Sequence, residues 1–305
     1  MKKKNLVTLE DLSSKEIFDI LKFAKKIKKK PFSKLEALKG KSFILLFEKP
    51  SNRTRVSFEV GIKQMGGYVL YLGSDKNPIK NRESIKDVAQ VLSRYVDGII
   101  ARVFSHKDIV DFAKYAEVPV INGLSDYSHP CQALSDMFTI MEKKKKFKNI
   151  VLTYIGDGNN VFNSLILACS KIGINMNIAI PIGYKPSVEI IDKAMFFAKK
   201  TRAVFKFFDD PKESVKNADF LYTDVWISMG QEQEKEKRLK DFELFQINQQ
   251  LIRCAEKHPY LMHCLPAHRG EEITDVIDSK NSIIYDQAEN RLHVQKAILY
   301  KLINK

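Results

Sequence analysis

The sequence predicts an α/β protein with two doubly wound parallel-sheet domains and an active site in the cleft between them. Short apolar runs, rich in β-branched and aromatic residues, alternate with amphipathic stretches along the chain of 305 residues. That alternation is typical of parallel strands joined by helices. The length exceeds that of an ordinary single domain, and an apolar fraction of 44% can fill two cores.

In chain order, the first helix follows a capping box formed by Ser13 and Glu16, and another helix is expected from Ser51. Ten runs are predicted as strands: Phe43–Phe47, Tyr68–Leu72, Gly98–Ala101, Val118–Ile121, Ile150–Ile155, Met176–Ile180, Val204–Phe207, Phe220–Thr223, Leu261–His263 and Ser282–Tyr285. Further helices are predicted over Glu83–Tyr95, Lys107–Ala116, Cys131–Glu142, Val161–Ile172, Ser187–Lys199 and Ala288–Ile303. The lysine run Lys143–Lys148 divides the strands. We therefore expect one domain over residues 1–145 and a second over 146–287, with a C-terminal helix, 288–305, that packs back on the first.

The composition argues against several classes of protein. No apolar run is long enough to span a bilayer, and the N-terminal residues lack the apolar stretch of a signal peptide, so we expect a soluble cytoplasmic protein. The four cysteines form no Cys-x-x-Cys pair, which indicates neither a zinc site nor a disulfide framework. The net charge of +14 comes largely from lysines at the ends of predicted helices, where cations complement the helix dipole. Basic residues interleaved with aromatics, as in a nucleic-acid-binding surface, are not found.

The segment Ser51-Asn52-Arg53-Thr54-Arg55 has the features of an anion-binding site. It follows an apolar strand that ends at Pro50, and its serine is a good N-cap for the next helix. Backbone N–H groups, hydroxyl groups and two guanidinium groups would converge there on a phosphate. A capped helix with two solvated arginines is the alternative that these five residues alone leave open.

Further polar residues stand at predicted strand ends or helix starts, where a doubly wound fold binds its ligands. Arg102 and Asp224 end their strands, and Cys264 follows another. His129 and Gln132 stand at the start of a helix. Each has an ordinary structural explanation by itself, but their coincidence favours a common site.

Two more segments bear on the ligand. Gly156–Asn160 resembles the start of a dinucleotide fingerprint, but Val161 replaces the third glycine and no acidic residue ends the next strand. NAD binding is therefore disfavoured, and Asn159 and Asn160 suit a polar substrate instead. The charged run from Gly230 to Lys240 predicts a loop that leads into a helix, either as a solvated turn or as a lid.

Together, these motifs resemble those of the carbamoyltransferase family over essentially the whole chain. Ser51–Arg55 is similar to the family's Ser-Thr-Arg-Thr-Arg. Ala101-Arg102 and His129-Pro130-Cys131-Gln132 match residues that aspartate and ornithine enzymes share. Asp224–Gly230 resembles the Asp-x-x-x-Ser-Met-Gly loop of the ornithine branch, and His263–Pro266 resembles its His-Cys-Leu-Pro. The last two segments favour the ornithine branch.

The resemblance implies a role for each matching residue. Carbamoyl phosphate would be bound by Ser51, Asn52, Arg53, Thr54, Arg102, His129, Gln132, Cys264, Leu265 and Arg291. The catalytic members would be Arg102, His129, Cys264 and Thr54, and ornithine would be bound by Asn160, Asp224, Ser228 and Met229. The family also implies a homotrimer, no metal or organic cofactor, and the same two-domain fold.

The implied reaction is attack by the δ-amine of ornithine on the carbonyl carbon of carbamoyl phosphate, which gives citrulline and phosphate for arginine biosynthesis. Arg102, Thr54 and His129 are the candidates for an oxyanion hole. Either Cys264 or the departing phosphate would accept the amine proton. Two alternatives remain: a carbamoyltransferase for putrescine or an N-acylated ornithine, and a nucleic-acid-binding protein that uses its lysine runs.

Two positions depart from the family pattern. Asn52 replaces the usual threonine, but its N–H and its amide can still donate to phosphate. Pro78 falls where many relatives carry a glutamine that reaches the neighbouring subunit's phosphate site, and proline offers neither an amide side chain nor an N–H. Lys80 and Arg82 are the candidates to replace that contact.

Overall fold

The computed structural model describes residues 5–30, 36–73, 83–228 and 230–303. Pro78, Lys80, Arg82 and Met229 therefore lie outside the described residues. The chain forms two compact units, the first from Met1–Phe138 with Glu289–Lys305 and the second from Thr139–Ala288. Among the described residues, no helix is both long and apolar enough for a membrane crossing.

The first unit is built on a four-stranded parallel sheet. Its strands are β1 (Ser42–Phe47), β2 (Tyr68–Leu72), β3 (Gly98–Arg102) and β4 (Val120–Leu124), in the order β2-β1-β3-β4. Its helices are α1 (Ser14–Lys28), α2 (Asn52–Gln64), α3 (Ile85–Tyr95) and α4 (His106–Tyr115). The two central strands are buried over almost their whole length, which explains why the sequence there is continuously apolar rather than alternating.

The second unit is built on a five-stranded parallel sheet. The sequence boundaries between the two units fall within two helices: α5 (Pro130–Lys144) and, at the C-terminus, α11 (Ile284–Ile303). The strands are β5 (Val151–Ile155), β6 (Asn175–Ala179), β7 (Phe205–Phe208), β8 (Phe220–Thr223) and β9 (Tyr260–His263), in the order β7-β6-β5-β8-β9. The remaining helices are α6 (Asn160–Ile172), α7 (Val188–Thr201), α8 (Pro211–Ser214), α9 (Lys235–Asp241) and α10 (Gln249–Arg253).

Each sheet has one point where the strand order reverses. In the first unit the chain moves outward from β1 to β2 and returns to β3 on the other side, and in the second it moves from β5 to β7 and returns to β8. Loops that leave the carboxyl ends of the two strands at such a point diverge and leave a crevice for a ligand. The segments that follow β1, β3, β5 and β8 are therefore the expected positions of binding residues.

The predicted fold class, two α/β domains with parallel sheets, is confirmed. Nine of the ten predicted strands are present in the described residues, most with ends shifted by one or two positions. The tenth, Ser282–Tyr285, is wrong: Ser282 makes a single bridge to Leu261, and α11 already begins at Ile284. A short apolar run such as this one fits a strand and the start of a buried helix equally well, so periodicity cannot separate them.

Candidate active site

The first group of candidate residues lies where β1 ends and α2 begins. Ser51 caps the helix, as the sequence predicts, and its Oγ accepts the N–H of Thr54 at 3.4 Å. Asn52 and Arg53 open the helix, so the N–H groups of its first turn and the positive end of its dipole face the same point. This arrangement is suited to a phosphate group.

Arg55 does not join this group. Its Nε donates to Glu59 at 2.8 Å, and its guanidinium lies over the ring of Tyr71, 3.7 Å from the centroid. The prediction that both arginines of the segment converge on the anion is therefore wrong for Arg55. Side chains two positions apart on a helix face different sides, and only Arg53 is left for the anion site.

Arg291, from α11, connects two of the predicted phosphate-site residues. Its Nη2 donates to Thr54 Oγ1 at 2.8 Å, and its Nη1 donates to Gln132 Oε1 at 2.9 Å. Gln132 in turn donates from Nε2 to Asp136 Oδ1 at 2.8 Å, and all four side chains are buried. The direction of the Gln132 amide is thus set from both ends, with its oxygen towards Arg291.

Two further candidates lie in the first unit. Arg102 is the last residue of β3, where the register with β4 shifts, and His129 immediately precedes α5. Both are buried. The pKa of His129 is held well below its ordinary value, first by burial and then by the positive charges of Arg291, Arg102 and Arg53. The imidazole is therefore neutral near pH 7, among three guanidinium groups whose charge an anionic ligand would balance.

The candidate residues of the second unit are centred on Asp224, which follows β8. Both of its carboxylate oxygens are held: Asn159 Nδ2 donates to Oδ2 at 2.8 Å, and Cys264 Sγ donates to Oδ1 at 2.8 Å. Asn159 is itself fixed, because its Oδ1 caps α6 by accepting the N–H groups of Val161 and Phe162. A buried carboxylate in a fixed orientation is a suitable partner for an ammonium group.

The other predicted residues of this unit lie nearby in sequence. Asn160 opens α6 beside the cap residue, and Leu265 follows Cys264 in the loop after β9. Ser228 is half-buried and donates its N–H to Gln231 Oε1 at 3.0 Å. Of the ten residues expected to bind carbamoyl phosphate, eight lie in the first unit and two, Cys264 and Leu265, lie in the second.

The charged run from Gly230 to Lys240 does form a helix, α9, but one of its charges is not solvated. Arg238 is 6% exposed and donates from Nη1 to Asp157 Oδ2 at 2.9 Å and to the carbonyl of Trp226 at 2.8 Å. Burial raises the pKa of Asp157, and the charge of Arg238 opposes that shift. The pair fastens the segment after Asp224 to the loop after β5. The sequence gives no signal for this ion pair, because the run from Gly230 to Lys240 is almost uniformly polar.

One group of side chains in this unit has the chemistry of a transition-metal site. The ligand atoms of Asp224, His263 and Cys264 all lie within 4.8 Å of one another. Both ring nitrogens of His263 already face hydrogen-bonding partners, the N–H of Leu265 and the carboxylate of Glu272. A metal would have to displace one of these contacts, so we do not assign one to this group.

Comparison with known protein families covers both units. Residues 4–142 match the family described as "Aspartate/ornithine carbamoyltransferase, carbamoyl-P binding domain". Residues 148–302 match "Aspartate/ornithine carbamoyltransferase, Asp/Orn binding domain". The chain belongs to the aspartate/ornithine carbamoyltransferase family. The start of α2 thus lies in this carbamoyltransferase's carbamoyl-P binding domain, and Asp224 lies in its Asp/Orn binding domain.

Individual relatives of this carbamoyltransferase are similar over nearly their full length. Ornithine carbamoyltransferase of Thermococcus kodakarensis is 53% identical, over 97% of this chain and 95% of the relative. That of Archaeoglobus fulgidus is 52% identical, over 99% of this chain and 98% of the relative. Among solved structures, ornithine carbamoyltransferase from Pyrococcus furiosus superposes with a TM-score of 0.95 at 51% identity, covering 99% of this chain and 97% of that one.

Proposed function

We propose that the protein is an ornithine carbamoyltransferase that converts carbamoyl phosphate and L-ornithine to L-citrulline and phosphate. The observation that carries the choice of acceptor is Asp224, whose two oxygens are held by Asn159 and Cys264, which fixes the orientation of the carboxylate. A fixed, buried carboxylate suits the α-ammonium group of an amino acid. The curated relatives at about half identity are named for the same acceptor.

Carbamoyl phosphate binding is assigned to the residues around the start of α2. The phosphate lies on the helix N-terminus, bound by Ser51, Asn52, Arg53 and Thr54, with Arg102 and Arg291 adding charge. Gln132 presents its Oε1 to the amino group of the carbamoyl moiety, because its Nε2 is already committed to Asp136. This arrangement accounts for binding a carbamoyl group as well as a phosphate.

Ornithine binding is assigned to Asn160, Asp224, Ser228 and Met229, the carboxylate of Asp224 taking the α-ammonium. The neutral δ-amine then attacks the carbonyl carbon, a C–N bond forms, and the tetrahedral intermediate expels phosphate as the C–O bond breaks. Cys264 and the departing phosphate are both candidates to accept the proton that the amine loses.

The oxyanion of that intermediate is assigned to Arg102, Thr54 and His129. The low pKa of His129 fits this role, because a neutral ring can donate one N–H without adding a fourth positive charge. Thr54 Oγ1 accepts a hydrogen bond from Arg291. The hydroxyl hydrogen of Thr54 therefore points away from that guanidinium and can be donated elsewhere. Positioning and electrostatic stabilisation would thus supply most of the rate enhancement.

The decisive assay offers carbamoyl phosphate with ornithine, putrescine, aspartate and N-acetylornithine in turn and measures the carbamoylated product and phosphate. We expect turnover with ornithine and at least about 10-fold lower kcat/KM with N-acetylornithine, which lacks the α-ammonium and therefore one charge-assisted hydrogen bond, and with putrescine, which lacks the α-carboxylate. Aspartate has an α-ammonium but no δ-amine, so we expect no product from it. Preferred use of putrescine or N-acetylornithine would contradict the role given to Asp224. Salt-sensitive RNA or DNA binding without any product would support the nucleic-acid alternative.

A homotrimer is part of this proposal. β2 is an edge strand, and its Tyr68 and Leu70 are 71% and 61% exposed. Val56 on α2 is also more than half exposed. Apolar side chains on an open sheet edge are typical of a surface that another chain covers. Light scattering should give about three times the chain mass of 35.1 kDa, and Leu70→Lys should lower it, whereas a wild-type monomer would contradict the assembly.

We also place the enzyme in arginine biosynthesis in the cytoplasm. The relative from Pyrococcus furiosus and a solved structure from Campylobacter jejuni are both named anabolic, at 52% and 40% identity. The gene should restore growth without arginine to a bacterial strain that lacks its own carbamoyltransferase. If an expressed, active enzyme did not restore growth, the role in arginine biosynthesis would be contradicted. Recovery of the enzyme in the membrane fraction would contradict the cytoplasmic location.

A further inference from the structure

His263 is the last residue of β9 and has no part in the chemistry assigned above. Its Nδ1 accepts the backbone N–H of Leu265 at 2.9 Å, and its Nε2 lies 3.1 Å from Glu272 Oε1. Because Nδ1 accepts a hydrogen bond, it carries no proton, and the neutral ring holds its proton on Nε2. His263 therefore donates to Glu272 and accepts from the loop that follows the strand.

Glu272 is a fixed anchor for that ring. Its side chain is fully buried, and its Oε1 also accepts the N–H of His268 at 2.6 Å. Its backbone carbonyl accepts the N–H of Ile247 at 2.9 Å, and the next residue, Ile273, is buried in the apolar core. The carboxylate thus has little freedom to move, and the ring of His263 is held with it.

The loop that His263 holds has a backbone conformation that is costly for its sequence. Leu265 has φ of 61°, in the left-handed region that residues with a side chain rarely adopt. Its N–H bond to His263 favours that conformation, as an asparagine does when it accepts from the N–H two residues on. The N–H of His263 itself donates to Gln287 Oε1 at 2.9 Å. Cys264 is therefore fixed on both sides.

We propose that Glu272 and His263 form a positioning pair that keeps Cys264 and Leu265 in place, with the thiol against Asp224. The inference rests on the proposed function, since Cys264, Leu265 and Asp224 are the second unit's residues for the two substrates. The pair touches neither substrate. It acts by holding the Cys264 thiol 2.8 Å from the carboxylate that binds the α-ammonium of ornithine. Persistence of strain beside a site is a recognised sign of such a positioning role.

Substitutions at both positions test the pair without introducing a large cavity. In His263→Asn the side-chain oxygen can still accept the N–H of Leu265, whereas in His263→Gln the longer side chain carries its oxygen past that position. Glu272→Gln keeps an acceptor for the ring N–H, and Glu272→Leu removes it. Glu271→Gln is the matched control, because Glu271 is half-buried, faces Lys235 at 3.3 Å and makes no contact with His263 among those described.

Three readouts separate positioning from loss of folded protein. In His263→Gln and Glu272→Leu, we expect kcat to fall about 10- to 100-fold, as for misplacement of a reacting group by about 1 Å. The KM for ornithine should rise several-fold while the KM for carbamoyl phosphate stays unchanged. A loss of folded protein would lower kcat without moving either KM. We expect kcat to stay within about three-fold of wild type in the variants that keep the contact and in the control: His263→Asn, Glu272→Gln and Glu271→Gln. That change is smaller than the fall in kcat expected from misplacement of a reacting group.

The alkylation of Cys264 by iodoacetamide gives a readout that needs no catalysis. Measured by mass spectrometry relative to Cys254 in the same molecule, it should rise in His263→Gln and return towards wild type in His263→Asn. If His263→Gln and His263→Asn both had the ornithine KM and the Cys264 alkylation rate of wild type, the proposal would be overturned. If wild type made no citrulline, the proposed function would fail, while the alkylation series would still decide whether the pair holds the loop.

Discussion

Arg291 Nη2 donates to Thr54 Oγ1 at 2.8 Å, and the two residues are 237 positions apart in the sequence. The same guanidinium donates to Gln132 Oε1 at 2.9 Å. One side chain from the last helix thus orients both the Thr54 hydroxyl and the Gln132 amide, two residues that we assign to carbamoyl phosphate. The planar, forked geometry of arginine makes this double contact possible.

Arg291→Lys should therefore impair the enzyme although it keeps the charge. A lysine ammonium cannot reach both Thr54 and Gln132 in the same geometry. We expect kcat/KM for carbamoyl phosphate to fall about 10- to 100-fold, the value of one charge-assisted hydrogen bond. Steady-state kinetics with saturating ornithine measure this. Arg94→Lys, at an exposed arginine that pairs with Glu117, is the control, and equal kinetics for the two variants would contradict the double contact.

Arg102→Ala tests the oxyanion hole. Arg102 is buried at the end of β3 and contributes to the charge that lowers the pKa of His129. If it donates to the developing oxyanion, its removal should lower kcat about 10²-fold or more. Turnover should be compared with wild type and with Arg94→Ala at saturating concentrations of both substrates. Near-normal kcat would reject the assignment.

The buried His129 makes a specific contribution to pH dependence. Its pKa in the folded protein lies well below the ordinary value of 6.5, so the unfolded chain binds a proton there at a higher pH than the folded one. Lowering the pH below about 6.5 therefore favours the unfolded state, and this loss continues down to the folded-state pKa. The melting temperature should fall more steeply between pH 7 and pH 5 for wild type than for His129→Gln.

The His129→Gln comparison cancels the contributions of all other titratable groups, because both proteins contain them. Measurements without carbamoyl phosphate are needed, because an anion bound among the three arginines would favour the protonated ring and reduce the difference. Parallel melting curves for the two proteins across this pH range would show that His129 is protonated in the folded state near pH 6.5. The neutral N–H donor assigned to the oxyanion would then be wrong.

Arg238 and Asp157 form a buried ion pair whose disruption should be costly. Arg238→Met leaves Asp157 buried without its charged partner, which typically destabilises a protein by about 3 kcal/mol. Adding Asp157→Asn removes the stranded charge, so the double variant should recover part of that loss. Urea midpoints for the single and double variants measure both steps. Additive losses would show that the two side chains do not depend on each other.

Local signals account for what the sequence predicted. The alternation of apolar runs and amphipathic stretches yields the parallel sheets, and Ser51 marks the start of α2. The order of strands in each sheet was not predicted, because pairing depends on contacts between distant segments. The error at Ser282–Tyr285 has the same origin, since burial of Ile283 and Ile284 is compatible with either secondary structure.

In the candidate site, too, some features can be predicted from the sequence and others cannot. Residues within one motif, such as Asp224, can be selected from the sequence because they stand at the end of a strand. The contacts that hold them cannot: the sequence marks Asn159 for a polar substrate, whereas its amide holds Asp224, 65 positions away. Asp136 and Glu272 resemble ordinary charged residues of a helix and a loop. Only the fold brings these partners together, and only the structure turns Arg55 away from the anion site towards Glu59.

The most direct test of the account is whether Asp224 binds the α-ammonium of the acceptor. Norvaline, which is ornithine without its δ-amine, and N-acetylnorvaline should be compared as inhibitors against ornithine in wild type and in Asp224→Asn. The account predicts that wild type binds norvaline more tightly than its acetylated form and that the substitution lowers this preference about 10-fold or more, as for a lost charged hydrogen bond. An unchanged ratio of the two inhibition constants would contradict it.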